Sequence, residues 1–170
     1  MLVVGCAAGP SSVEDQTLVD PHAGYALFRP HWDNNGDTKA DVQIKLVRFP
    51  LDGPREEFVY SMSAGASQVV TLAPGYYTVV SATAGRTGIA PRTNMNFVVK
   101  TGQVSYPGDW WFHNASAGTV DVLASRKQNF HQYRLVVVHS EVERDSDAEQ
   151  SYQGRYPRLS QVLPLVYTGP

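Results

Sequence analysis

Short runs of alternating apolar and polar residues, most of them closed by proline or glycine, dominate this sequence from Gly24 to about residue 138. A period of two puts alternate side chains on opposite faces of an extended strand, whereas a helix needs a period of 3.6. Tyr25-Ala26-Leu27-Phe28-Arg29 is the first expected strand, closed by Pro30. Asp41 to Phe49 is the clearest, with Val42, Ile44 and Leu46 segregated from Gln43 and Lys45. Pro50 ends it, and Leu51-Asp52-Gly53-Pro54 supplies turn chemistry. Glu57 to Met62 follows. Val69 to Leu72 and Tyr76 to Ala82 are expected to form a hairpin across Ala73-Pro74-Gly75. Asn96 to Lys100 and Gln103 to Tyr106 are expected to form another across Thr101-Gly102, with Gly102 at positive φ. Thr119 to Leu123 and Tyr133 to Val138 are the last expected strands. Strands so short and so closely spaced predict an all-β fold, an antiparallel β-sandwich rather than a parallel sheet.

The ends of the chain read differently. Ser140 to Arg155 is rich in Glu, Asp, Arg and Gln and lacks Gly and Pro before Gly154, which predicts a short exposed helix stopped at Tyr156-Pro157. Leu159, Val162, Leu163, Leu165 and Val166 then offer an apolar tail able to cover a sheet edge or an end of the core. The expected organisation is a start and linker over residues 1–20, the sandwich over 21–140, and the helix and tail packed on it over 141–170.

A chain of 170 residues suffices for one proper core. The formal charge of −2 and the scattered basic residues give no footing for nucleic acid. No apolar run approaches the ~20 residues needed to span a bilayer as a helix. A single cysteine, Cys6, closes no internal disulfide.

That cysteine ends the run Met1-Leu2-Val3-Val4-Gly5-Cys6 and is followed by Ala7-Ala8-Gly9-Pro10-Ser11-Ser12. Val3-Val4-Gly5-Cys6 resembles a lipobox, in which a signal peptide is cut before a cysteine that becomes the acylated N-terminus. The apolar run is shorter than the roughly 7 to 15 residues of a signal core and no basic segment precedes it, so the native start is expected further upstream. The alternative is an N-terminal strand whose cysteine is a small buried side chain. Under the lipobox reading, residues 13–20 extend a polar tether, and acyl chains hold the protein on a membrane.

Leu72-Ala73-Pro74-Gly75-Tyr76-Tyr77-Thr78-Val79, followed by Asn96-Phe97-Val98-Val99-Lys100-Thr101-Gly102-Gln103-Val104-Ser105-Tyr106, resembles phrases of small bacterial surface and periplasmic domains. These are immunoglobulin-like or transthyretin-like β-sandwiches, including uncharacterised lipoproteins of the DUF2846 type. The likeness covers about a third of the chain and implies a fold and an exported location, with no catalytic residue. Both phrases are scaffold: turn residues between β-branched and aromatic core residues.

Three constellations carry candidate chemistry. Asp33, Asn35, Asp37 and Asp41 place oxygen side chains at alternate positions, as calcium loops do, although Thr38 stands where such loops have Gly and Ile44 where an EF-hand has Glu. A plain Asn/Asp/Gly turn is the competing reading. His22, His31, Asp33 and His113 are a composite metal or hydrolase site only if loops bring them together, since no histidine pair has helical ligand spacing. Tyr106, Asp109, Trp110, Trp111 and His113 form an aromatic cluster after a strand. On an exposed loop it would suit a sugar or a partner's apolar anchor, and buried it would cap the sandwich. Strand alternation predicts one tryptophan inside and one outside.

The expected function is therefore non-catalytic: an envelope lipoprotein on the periplasmic face of a bacterial membrane, binding a protein partner or cell-wall glycan, with no cofactor. A calcium-dependent carbohydrate-binding or adhesion module is the first alternative and a hydrolase with a composite loop site the second.

Overall fold

The computed structural model describes residues 10–15, 18–32, 41–50, 53–63, 66–84, 87–91, 95–114, 136–141 and 146–169, with residues 32, 83–84, 87–91, 111–114, 136–141 and 146 described as backbone only. In chain order the strands are β1 (Ser11–Ser12), β2 (Gly24–Trp32), β3 (Val42–Phe49), β4 (Glu56–Met62), β5 (Gln68–Leu72), β6 (Gly75–Ala84), β7 (Thr87–Pro91), β8 (Asn96–Val99), β9 (Val104–Tyr106), β10 (Asp109–Asn114) and β11 (Val136–Glu141). Helices α1 (Ser146–Arg155) and α2 (Leu159–Val162) and strand β12 (Leu165–Tyr167) follow. The fold is all-β, with two sheets and a short C-terminal helix, and is not closed into a barrel. The expected strand over Thr119 to Leu123 lies outside the described residues.

β2 joins the two sheets. Its residues 24–28 pair antiparallel with β5, which in turn pairs with β1, and residues 25–26 pair parallel with β9, which β12 extends. Residues 29–32 leave that sheet and pair parallel with β10, from which the ladder continues through β11, β7, β6, β3 and β4. Pro30 does not end the strand. In its half of β2 only β10 is alongside among the described residues, and a one-sided ladder accommodates a residue with no N–H.

Neither expected hairpin forms. β5 pairs with β1 and β2, whereas β6 pairs with β3, β7 and β8, so the Ala73-Pro74 turn carries the chain from one sheet to the other. β8 pairs with β6 and β9 with β2 and β12, and the turn containing Gly102, at φ +72°, is the second such crossing. A Pro-Gly or Thr-Gly step reverses the chain. It does not choose the strand's partner.

The sheets enclose a core that contains Ala26, Phe28, Ile44, Leu46, Tyr77, Val79, Phe97, Val99 and Trp110. Its aromatic rings form a chain from sheet to sheet. Tyr77 stacks on Phe97 at 5.3 Å, Phe97 meets Phe28 edge-on at 5.9 Å, and Phe28 lies 4.6 Å from Trp110. Along β6 the inward residues are Tyr77 and Val79 and then Ala82, a change from odd to even. The register shows why: Lys45 opposes Ser81 while Leu46 opposes Val79, so Val80 is the extra residue of a bulge and is 44% exposed.

A second core lies on the other face of the first sheet. Tyr25, Leu27, Val69, Val104 and Tyr106 face Ala148, Tyr152, Tyr156, Leu159 and Leu163. The last five recur every three or four residues along α1, α2 and the residue just after each, so the two short helices turn apolar side chains to the sheet. Residues 11–15, which the sequence assigns to the linker, are tied into this layer. β1 pairs with β5, Val13 is buried and donates its N–H to Val69 O at 2.8 Å, and Asp15 Oδ1 accepts from Arg158 N and Leu159 N at 2.9 and 3.0 Å. Asp15 thus caps α2 from the far end of the chain, a bond of the kind worth about 1 kcal/mol.

Candidate functional site

Alternation along β2 sends Ala26 and Phe28 into the inter-sheet core and Tyr25 and Leu27 into the second one. Arg29 and His31 continue the odd face beyond the C-terminal layer. The parallel register sets Asp109 beside Arg29 and Trp110 beside Pro30. Two short steps of alternation thus produce a charged cluster directly behind the aromatic core.

Asp109 is its centre and is fully buried. Arg29 Nη1 lies 3.1 Å from Oδ1 and His31 Nε2 lies 3.0 Å from Oδ2, while the Tyr106 hydroxyl donates a short hydrogen bond to Oδ1. Arg29 is largely buried, and His31, at 31% side-chain exposure, is the wettest member. Burial is the main cause that raises the pKa of the Tyr106 phenol, its hydrogen bond to Asp109 and that residue's charge add to it, and Arg29 partly offsets them. The phenol therefore stays protonated and serves as a donor.

Asp109 Oδ1 accepts from the Tyr106 hydroxyl, whereas Oδ2, although 3.0 Å from His31 Nε2, accepts no hydrogen bond among the described residues; a phenol held protonated is no base. The cluster ties β2, β10 and the strand carrying Tyr106 at one point. Among the described residues no group of three His, Cys, Asp or Glu side chains is placed to hold a metal.

The sequence candidates distribute as follows. Tyr106, Asp109 and Trp110 are buried, so these three form no exposed platform, and the segment that carries the aromatics is strand β10 rather than a loop. Trp110 is a core residue. Trp111 and His113 are placed by backbone register only, Trp111 between His31 and His139, and His113 beside Val137. Asp41 is exposed just before β3, while Asp33, Asn35 and Asp37 lie outside the described residues, as does Cys6. His22 is exposed in a turn where its N–H donates to Asp20 Oδ1 at 2.8 Å. His31 sits instead against Asp109.

Sequence reasoning passed over Arg29 as a partner of Asp109. The available signal was a pair of polar residues at alternate positions flanking Pro30 in an apolar strand. A groove of about 330 Å³ between α1 and β12, lined by Tyr106, Ala148, Glu149, Leu165, Val166 and Tyr167, was equally hidden because it needs the C-terminal layer docked. Comparison of the chain with protein-family models, curated proteins and solved structures finds no match.

Proposed function

We propose that this chain is a non-catalytic binding or structural module of a bacterial cell envelope, an immunoglobulin-like or transthyretin-like sandwich carried on a membrane by a lipidated Cys6. Its partner is a protein or a cell-wall glycan. The observation that supports the non-catalytic reading is the setting of Asp109, fully buried against Arg29 and the Tyr106 hydroxyl, where it links β2, β9 and β10. The lipobox-like Val3-Val4-Gly5-Cys6 carries the anchor.

The test is made in cells with the native upstream sequence present. The wild-type protein is expected in the membrane fraction and Cys6→Ser in the soluble fraction. Equal membrane association of the two would refute lipidation.

A further inference from the structure

One end of the sandwich gathers exposed side chains that the scaffold does not use, and the chain leading back to Cys6 leaves from that end. Ser11 registers with Thr71 and Gly24 with Leu72, so the backbone before Ser11 departs beside the Ala73-Pro74 turn. The Gly24–Thr101, Gly75–Val99 and Phe49–Tyr76 registers bring the Lys100 to Gln103 turn and the ends of β3 and β6 to the same place. Phe49 and Tyr76 sit there with ring centroids 6.0 Å apart, 44% and 43% exposed, and Lys100 is exposed nearby.

Tether length decides what this end meets. Four residues lie between Cys6 and Ser11, five steps along the chain. At roughly 3.3–3.6 Å per step these reach at most about 18 Å, and Ser11 to Val13 are already bound into the sheet. A membrane-held Cys6 therefore keeps this end within that distance of the lipid, too short a leash for the domain to turn its opposite end to the bilayer. Aromatic rings with a polar rim and a lysine are the chemistry that settles at a headgroup boundary.

We infer that the end bearing Phe49, Tyr76 and Lys100 is a membrane-contact face, resting on the phospholipid surface beside the anchor. This rests on the lipid-anchor reading and adds an orientation to it. The domain then presents its opposite end, and β4, the outermost strand among the described residues, to a partner.

The chain has a single cysteine, so the Cys6 thiol can be coupled to a maleimide-bearing phospholipid in vesicles that contain brominated phosphatidylcholine. Emission from Phe49→Trp, taken as the excess over the native tryptophans, should fall by about half or more on coupling. Tyr76→Trp should do the same, which guards against a misfolded first variant. Val59→Trp, on the middle of β4 and 64% exposed in its native form, should not change. Absence of quenching at both 49 and 76 with coupling complete, or equal quenching at 59, would overturn the orientation. Chemical coupling makes this result independent of acylation in cells. A protein found unacylated by mass spectrometry defeats the anchor reading, whereas an acylated protein with no quenching defeats only the contact face.

Discussion

Asp109 is a fully buried carboxylate. Removing a buried carboxylate leaves the Arg29 guanidinium, itself largely buried, without its counter-charge, and breaking such a pair costs about 3–5 kcal/mol. Asp109→Ala is therefore expected to lose that much in urea unfolding, with the slope of the transition unchanged. His31→Gln should lose far less, because His31 is partly solvated. Tyr77 makes the pH dependence specific. Burial pushes its phenol up to about 12 from 10, with Arg48 lowering and Glu56 raising it, and its hydroxyl donates to Ala73 O at 2.6 Å. The folded state therefore holds its proton more tightly than the unfolded chain. Its contribution is complete below pH 10 and is lost as the pH rises through 12, about 2–3 kcal/mol for a shift of that size. Urea melts between pH 9 and 12 should fall less steeply for Tyr77→Phe than for the wild type, and parallel curves would show that this phenol ionises equally in both states.

Among elements, β6 is the most informative. It pairs along its whole length with β3 on one side and is shared between β8 and β7 on the other, and its bulge at Val80 switches the inward parity. Val79 lies just before that switch, 6% exposed in the inter-sheet core. Val79→Asp should destabilise the domain by several kcal/mol through an unpaired buried charge, measured as the shift in denaturation midpoint. An unchanged midpoint would mean that the bulge moves and turns position 79 outward. Among the described residues β4 is the outermost strand of its sheet. Its outward residues include Glu57, paired with Lys45 at 2.6 Å, and charge on an outer strand discourages pairing with another chain.

At the scale of the whole molecule the C-terminal segment is a structural layer. Ala148, Tyr152, Tyr156, Leu159 and Leu163 cover one face of the first sheet, and β12 adds a strand to its edge. Deleting residues 146–170 uncovers Tyr25, Leu27, Val69 and Val104. Each large side chain returned to water costs on the order of 1.5–3 kcal/mol. The truncated protein is expected to bind a hydrophobic dye and to aggregate. A truncated form that stays monomeric with the wild-type melting temperature would show that the first sheet needs no cover.

Local patterning by itself located β2 to β6, β8 and β9, but not β10, which carries the core residue Trp110. The alternation of Val42, Ile44 and Leu46, the turn at Gly102 and the helix ending at Arg155 are each set by residues within a few positions. Pairing was another matter. A turn residue specifies that the chain reverses, while burial specifies which surface receives it, so two expected hairpins became crossings between sheets. The site followed the same rule. Tyr106 and Asp109 were legible as a cluster, but their burial and their partners Arg29 and His31 depend on a parallel pairing of β2 with β10 across about eighty residues of chain. Only the tertiary structure joins strands so far apart, because the free energy of that contact comes from the core closing around Phe28 and Trp110, and no local sequence window contains both.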